Sequence, residues 1–394
     1  MYGFLAAIIG KRFFPADDPI ASLLAAFCVF ALGYAARPIG GVVFGHLGDR
    51  LGRKPTLILS VALMGTATFA IGLLPDANQI GSAAAILLVG LRFIQGVSVG
   101  GESPTSIVFL AEHAPPEHRG FFTSWAQLGC LVGVLLGSGS GALTSTILGE
   151  EAMQAWGWRI PFLFGGVIAG YGYMVQRRMV EPALASEKQQ MQHSPAVVAI
   201  RDHWRMILRV VCLILITVVG YYMQFVYAVS YLTEYMHIST ARALDINTVA
   251  ILTMLIVTLP AAILSDRLGR KPLLYFVAIG TLVLAWPLWW LIHQESFVSI
   301  LAAQMGFAGL FGIGWAVVYV TMVEMLPTQV RCSGTAISFN LCLGLFGGTT
   351  PLIVTYLVAR TADDFVPAYV LMAAGVLSFL TLLGLPERAR KPLT

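Results

Sequence analysis

Opposite charges interrupt one long apolar segment of the 394-residue chain, where Arg92 and Glu102 flank Gln95 and Val99. Because these residues are spaced i, i+3, i+7 and i+10, they share one stripe of an α-helix. A guanidinium and a carboxylate are costly in lipid, so such side chains face a watery cavity or polar partners. We therefore predict Arg92 as an anion-binding or proton-coupling group, with Gln95 beside it, and Glu102 as a site of protonation. A purely structural ion network is the alternative.

Other apolar segments contain isolated polar and aromatic side chains that are further candidates for ligand contact. Two aromatic or polar pairs, Tyr221 with Gln224 and Trp315 with Tyr319, have helical spacing, so each pair shares a helix face. Aromatic side chains in such segments more often pack or lie at the membrane interface, which is the alternative for them. Arg37 can also extend its side chain to the membrane surface. These further candidates are Arg37, Gln127, Tyr221, Gln224, Trp315, Tyr319 and Asn340.

Two charged motifs occur twice in the chain. The heptapeptide DRLGRKP occupies 49–55 and again 266–272. A Glu-x-x-Pro-x-x-x-Arg pattern runs from Glu112 to Arg119 and again from Glu324 to Arg331. Motifs repeated in the same order indicate a duplicated chain. A simple topology signal is the alternative, although lysine and arginine alone would serve it and the repeated aspartate and glycine would not be needed.

Membrane-spanning helices are the elements that must position these residues. The composition is 57% hydrophobic and 11% charged, with a mean hydropathy of +0.80, outside the range of soluble domains. Long continuous apolar runs predict twelve helices, of which the first is partial. Lysines and arginines concentrate in one set of loops and in the C-terminal tail, which predicts that both termini are cytoplasmic. Five cysteines without a C-x-x-C pair predict neither a disulfide nor a metal site.

The chain divides at its most hydrophilic stretch. We predict an N-terminal six-helix bundle at 1–178, a cytoplasmic linker at 179–205 and a C-terminal six-helix bundle at 206–394. Transporters built from parallel repeats bind their substrate between the two halves, near the middle of the membrane. The predicted fold class is therefore an all-α membrane protein with two six-helix repeats.

The chain resembles the metabolite:proton symporter family of the major facilitator superfamily in the segments GHLGDRLGRKP, ARPIGGVVFGHLGDR, RFIQGVSVGGE, AEHAPPEHRGFFTSW, WGWRIPF and FNLCLGLFGGTTPLI. That family contains bacterial inner-membrane permeases for citrate, α-ketoglutarate, shikimate, proline and betaine, which implies a major facilitator fold. The family pattern continues upstream of Tyr2 with an acidic residue in the first helix. We therefore expect the natural reading frame to begin earlier, or the chain to be a fragment.

The resemblance implies secondary active transport by alternating access. The expected activity is uptake of a small organic acid or zwitterionic metabolite together with a proton across the bacterial inner membrane. Proton-coupled efflux antiport and a non-transporting nutrient sensor are the alternatives. We expect no enzymatic activity, no cofactor besides the proton gradient and no nucleic-acid partner. The protein is expected to be a monomer whose partners are the substrate, the proton and the lipid bilayer.

In such a transporter the cytoplasmic ends of the two halves must close against each other and reopen. Partly hydrated ion pairs, worth about 1 kcal/mol, suit contacts that must be specific and breakable. The resemblance adds Glu112 and Glu324 as acidic partners of the charged loops. The predicted cytoplasmic gate consists of Gly45, Asp49, Arg50, Gly52, Arg53, Glu112, Arg119, Asp266, Arg267, Gly269, Arg270, Glu324 and Arg331.

Overall fold

Helices account for the regular structure of the chain in a computed structural model that describes residues 2–41, 43–44, 53–100, 103–178, 195–294 and 296–393. Five predicted functional residues lie outside the described residues, and the side chain of Arg53 does as well: Gly45, Asp49, Arg50, Gly52 and Glu102. Twelve helical segments follow the order of the predicted spans: α1 Ala6–Phe13, α2 Pro19–Gly41, α3 Arg53–Leu73, α4 Ser82–Val99, α5 Pro116–Gly157, α6 Arg159–Arg178, α7 Val197–Glu234, α8 Thr240–Leu268, α9 Arg270–Ile292, α10 Phe297–Met325, α11 Arg331–Thr361 and α12 Val366–Leu383. A further helix, Ser103–His113, lies between α4 and α5 in the chain and carries Glu112.

The outer surface of the helices is suited to lipid. Among the described residues, nine segments are long and apolar enough to cross a membrane, namely α2, α4, α5 and α7 to α12. Large apolar side chains lie on the outside, such as Val298 at 72%, Ile86 at 71% and Ile147 at 70% exposure. Exposed apolar surface on this scale is stable when it contacts lipid rather than water. The chain is therefore a multi-pass membrane protein.

Local chemistry sets several helix ends. The carboxylate of Asp18 accepts a hydrogen bond from the backbone N–H of Ile20 at 2.9 Å, and Pro19 occupies the first helical position of α2. Gly269 ends α8 with φ of 102°, in the region that favours glycine, and α9 begins at Arg270. The glycine of the second DRLGRKP copy therefore makes the sharp connection between these two helices possible.

Two glycines of α4 allow its backbone to contact α2 directly. A Cβ atom at Gly96 would collide with the carbonyl oxygen of Gly33, and one at Gly100 would collide with that of Arg37. Small residues four apart permit this kind of close helix contact in membranes. The contact fixes the distance between the helices that carry the two intramembrane arginines, Arg37 and Arg92.

Irregular turns interrupt three of the long segments. Wider π-type turns occur at Met153–Gly157 in α5, at Met223–Tyr227 in α7 and at Leu343–Gly347 in α11. The helix that contains α7 begins at Pro195 and bends at His203, where φ is −120°. The part of the predicted linker that the structure describes is thus helical up to this bend. The division at 1–178, 179–205 and 206–394 stays a prediction.

The helices α5 and α8 join the two parts of the chain along their length. The backbone N–H of Gly120, near the start of α5, donates to Asp266 near the end of α8 at 2.8 Å. Halfway along, the amide nitrogen of Asn247 donates to the hydroxyl oxygen of Ser138 at 3.0 Å. Early residues of one helix contact late residues of the other, so the pair is antiparallel.

Candidate functional site

Six predicted gate residues form ion pairs and are called here the charge network: Glu112, Arg119, Asp266, Arg270, Glu324 and Arg331. Four of them, Arg119, Asp266, Arg270 and Glu324, are linked to one another, and Glu112 and Arg331 form a separate pair. The two Glu-x-x-Pro-x-x-x-Arg repeats pair crosswise in it. Arg119 Nη1 lies 3.0 Å from Glu324 Oε1, and Arg331 Nη1 lies 3.0 Å from Glu112 Oε1. Each arginine thus binds the glutamate of the other repeat, so the charge network connects the N-terminal and C-terminal parts of the chain.

Arg270 links the second DRLGRKP copy to this network. Its Nη1 lies 2.7 Å from Asp266 Oδ1, and its Nη2 lies 3.2 Å from Glu324 Oε1. Asp266 and Arg270, which are four residues apart, thus form an ion pair. Asp266 also accepts hydrogen bonds from the backbone N–H groups of Gly120 and Phe121, both at 2.8 Å. A carboxylate at a helix N-terminus satisfies otherwise unpaired donors and interacts favourably with the helix dipole, so Asp266 caps α5.

The network is more deeply buried than the sequence suggested. The side chains of Arg119 and Glu324 are 3% and 2% exposed, and those of Arg270 and Asp266 are 2% and 4% exposed. The expectation of partly hydrated pairs is wrong here, because the surrounding helices exclude water. Within the charge network, the expectation of partial hydration fits only the pair of Arg331 with Glu112, in which Glu112 is 39% exposed. Removing one partner of a buried pair costs about 3–5 kcal/mol, so these buried pairs hold the two parts of the chain together strongly.

Two other predicted gate residues have different positions. Arg267 is exposed beside the charge network and is not one of its ion-paired members. Gly269 forms the connection between α8 and α9. The exposure of Arg267 follows from the helical geometry of α8, because Asp266 faces α5 and its neighbour Arg267 points away from that contact.

Residues 385–391, which follow α12, cover the charge network. Arg390 Nε donates to the carbonyl oxygen of Asp266 at 2.8 Å, and Arg119 Nη1 donates to that of Lys391 at 3.3 Å. Burial alone would raise the pKa of the Glu387 carboxyl, but hydrogen bonds from the backbone N–H groups of Lys271 and Ala389 hold the pKa below its usual value. Sequence reasoning missed the contact between residues 385–391 and the charge network. Most of the hydrogen-bond acceptors in it are main-chain carbonyls, which leave no residue pattern in the sequence.

Arg92 lies inside the helix bundle with an unusual set of neighbours. Its Nη1 donates to Gln95 Oε1 at 2.9 Å, and Gln95 Nε2 donates in turn to the hydroxyl of Thr68 at 2.8 Å. The guanidinium carbon lies 4.4 Å from the ring centre of Tyr2 and 5.4 Å from that of Phe30. Its buried Nε has no hydrogen-bond partner within the described ranges. Within the described part of the chain no carboxylate contacts Arg92, and the functional roles of Arg92, Gln95 and Glu102 stay predictions.

A group of aromatic rings lies between the two intramembrane arginines. Phe30 packs against Tyr34 with ring centres 4.9 Å apart, and the hydroxyl of Tyr222 donates to that of Tyr34 at 2.7 Å. The guanidinium of Arg37 lies 4.1 Å from the ring centre of Tyr34. We call Tyr2, Phe30, Tyr34 and Tyr222 the aromatic cluster. Two helices, α2 and α7, supply it along with the turn at Tyr2, and no single helical periodicity in the sequence could have identified it.

The aromatic candidates of the C-terminal part continue this cluster as a row of rings. Tyr221 contacts both Tyr222 and Trp315, with ring centres 5.3 and 6.1 Å apart. Trp315 contacts Tyr319 at 5.3 Å, and both side chains are only 4% exposed. The indole N–H of Trp315 donates to the carbonyl of Thr217 at 3.1 Å. This arrangement agrees with the packing alternative for Trp315 while it places Tyr221 next to the aromatic cluster.

The amide candidates separate into different environments. Asn340 Nδ2 donates to the carbonyl oxygen of Gly100 at 2.9 Å, which joins α11 to the end of α4. Gln224 Nε2 donates to the carbonyl of Gln304 inside the C-terminal part, and Gln224 Oε1 is buried without a partner. Gln127 on α5 is 3% exposed. A ligand role for these three residues stays a prediction.

Comparisons with known proteins agree with the sequence motifs. A family model described as Major Facilitator Superfamily matches residues 2–351. The chain is 36% identical to the "Proline/betaine transporter" of Salmonella typhimurium, with 100% of this chain and 81% of that protein covered. It is 30% identical to the "Citrate-proton symporter" of Klebsiella pneumoniae, with 99% and 88% covered. A solved structure of a proton:xylose symporter bound to 6-bromo-6-deoxy-D-glucose aligns with a TM-score of 0.76 at 20% identity, covers 100% of this chain and 94% of that one, and shows the fold.

Proposed function

Since the chain belongs to the major facilitator superfamily, and is therefore a membrane transporter rather than an enzyme, we propose that it imports a small carboxylate-bearing metabolite together with a proton. The proposed location is the bacterial inner membrane, with the charge network and both termini on the cytoplasmic side. The excess of lysine and arginine in the loops on that side supports this orientation. We further propose that the protein acts as a monomer, uses the proton gradient as its energy source and needs no cofactor or nucleic-acid partner.

Arg92 is the observation that carries the proposal. A buried guanidinium without a carboxylate is costly, and cation–π contacts offset only part of that cost. Among the residues that the structure describes, its neighbours are an amide and two rings, and its Nε has no partner. A substrate carboxylate would supply the missing charge and accept hydrogen bonds from the planar guanidinium. Arg92 is therefore the proposed anchor for the substrate carboxylate.

A zwitterion is the substrate class we favour. The aromatic cluster and Tyr221 offer several ring faces next to Arg92, and an ammonium or quaternary ammonium group is attracted to such faces. A proline- or betaine-like molecule would place its carboxylate on Arg92 and its cationic end on these rings. The name of the 36% identical proline/betaine transporter supports this class.

An organic acid is the second candidate. Arg37 also lies at the aromatic cluster, stacked over Tyr34, and within the described residues no carboxylate contacts it. Two cations without described acidic partners suit a substrate with more than one carboxylate. The name of the 30% identical citrate-proton symporter supports this alternative. Efflux by antiport and nutrient sensing without transport are less favoured, because the named relatives include a proton symporter.

Uptake of labelled proline, betaine, citrate, shikimate and α-ketoglutarate into membrane vesicles tests the proposal. We expect accumulation of proline or betaine only with an inward proton gradient, and loss of accumulation when a protonophore is added. Accumulation of citrate instead would select the organic-acid alternative. No gradient-driven uptake of any of the five compounds, or gradient-driven extrusion, would overturn symport of this substrate class.

A further inference from the structure

The helices α5 and α8 each lack a cap from their own chain segment. Among the described residues, the side chain of His118, which precedes the α-helical part of α5 at Arg119, makes no capping hydrogen bond, and Ser239 before α8 makes none. The free backbone donors at a helix start need an acceptor. In both helices the partner helix supplies it. Asp266 of α8 caps α5 within the charge network, at one end of the pair.

Glu150 of α5 performs the same task at the opposite end. Its Oε2 accepts from the backbone N–H of Thr240 at 3.1 Å, and its Oε1 accepts from the hydroxyl of Thr240 at 2.6 Å. A carboxylate that accepts two hydrogen bonds at a helix N-terminus is favourably placed for both the donors and the helix dipole. One antiparallel helix pair is thus held by a carboxylate cap at each end, and each cap crosses between the two halves of the duplicated chain.

Gly149 makes the second cap possible. Its φ of 78° and ψ of 167° are non-helical and interrupt α5 immediately before Glu150. Only glycine adopts this region of backbone conformation at low cost. The interruption changes the direction of the chain at Glu150, whose carboxylate reaches the start of α8. The sequence Gly149–Glu150 therefore encodes a turn with a carboxylate at its end.

Other polar contacts surround the cap. Gln154 Nε2 donates to Glu150 Oε1 at 3.1 Å, and the carbonyl of Gln154 accepts from Arg12 Nε at 2.8 Å. Lys11 Nζ lies 2.8 Å from Glu234 Oε1, which connects α1 to the end of α7. This end of the bundle therefore carries several contacts between the halves, and they are more exposed than the charge network, with Lys11 at 45%.

We propose that Glu150 and Thr240 form the gate at the membrane face opposite the charge network, and that Glu150 acts by positioning the start of α8. This inference rests on the proposed transport function. The charge network holds one end of α5 and α8 while the Glu150–Thr240 contact holds the other. Alternating access requires each end to open in turn, and hydrogen bonds that water can reach are readily exchanged for bonds to water.

A buried reporter cysteine at Ser145 tests the gate without any substrate. Ser145 is 2% exposed and its hydroxyl has no partner, so cysteine fits there without loss of a hydrogen bond. It lies on the same α5 stripe as Ser138 and Gly141, both of which contact α8. The rate at which a membrane-impermeant maleimide labels Ser145→Cys from the Lys11 side is then a measure of gate opening. The chain without this substitution reports labelling of the native cysteines.

We expect Glu150→Ala to raise the labelling rate about tenfold, and Glu150→Gln, which keeps an acceptor oxygen, to raise it less. Thr240→Val, which removes only one donor, gives an independent variant if Glu150→Ala folds poorly. Glu151→Ala is the matched control, since its exposed side chain neighbours Glu150 but makes none of the contacts described above.

Equal labelling of the reporter with Glu150→Ala, Thr240→Val and Glu151→Ala would overturn the gate. Uptake measured on the same variants separates the two proposals. If the reporter responds but no tested metabolite is accumulated, the gate stands and the proposed substrate class fails. If uptake is proton-driven and the reporter does not respond, the transport function stands and the gate is wrong.

Discussion

Replacement of Glu324 by glutamine tests how strongly the charge network holds the two halves together. The carboxylate of Glu324 accepts hydrogen bonds from Arg119 Nη1 at 3.0 Å and from Arg270 Nε and Nη2 at 3.2 Å each. Glutamine has nearly the same shape, but it lacks the charge and presents an N–H₂ group to one of the guanidinium groups. In Glu324→Gln, Arg270 would keep its ion pair with Asp266, whereas Arg119 would lose the carboxylate that it contacts within the charge network.

The magnitude follows from burial. Breaking a buried ion pair by removing one partner costs about 3–5 kcal/mol, whereas an exposed pair contributes about 0–1 kcal/mol. Glu324 is 2% exposed, whereas Glu112 is 39% exposed, and its buried partner Arg331 would keep hydrogen bonds to the carbonyl oxygens of Val323 and Leu326. Glu324→Gln should therefore cost at least about 2 kcal/mol more than Glu112→Gln, which corresponds to roughly 30-fold in the equilibrium between closed and open or unfolded forms.

Thermal unfolding of the purified variants, followed by tryptophan fluorescence, measures this difference. We expect Glu324→Gln to have a clearly lower midpoint than Glu112→Gln, and Glu324→Asp, which keeps the charge, to recover part of the loss. Uptake should fall in the same order. Equal midpoints and equal uptake for Glu324→Gln and Glu112→Gln would refute the reasoning, because burial would then have no influence on the strength of the pairs.

Three further predictions concern other parts of the chain. Arg92→Lys keeps a charge but loses the planar fork, so we expect initial-rate uptake to show a KM raised about tenfold or more, and an unchanged KM would remove Arg92 from the substrate site. Gly96→Ala places a methyl group against the Gly33 carbonyl and should lower the thermal midpoint by the equivalent of about 1–3 kcal/mol, whereas Gly90→Ala, in open space, should not. The folded-state pKa of Glu387 is lowered, so docking of residues 385–391 should be stabilised above the pKa of the undocked carboxyl and weaken as pH falls through the lowered value, and limited proteolysis of the tail should show no such pH dependence in Glu387→Gln.

Hydropathy predicted the helices well because the signal is local. Each span needs a continuous apolar run, and the order of α1 to α12 follows from the positions of those runs. The stripe of Arg92 and Gln95 was equally accessible, since residues three apart on a helix are neighbours whatever surrounds them. The contact of Asp266 with Arg270 has the same origin, four residues apart at the end of α8.

The sequence by itself thus determined the family, the helical membrane fold and the residue types of the charge network, because these depend on composition, local spacing and repeated motifs. Only the tertiary structure decided that each repeat's arginine binds the other repeat's glutamate, since these partners are 205 and 219 residues apart. It also decided the burial of Arg119 and Arg270, which the sequence had placed in partly hydrated pairs. The periodicity of the sequence could not predict the partners of Glu150 or the members of the aromatic cluster either. Contacts between distant helices depend on how whole helices pack, and no local pattern specifies that packing.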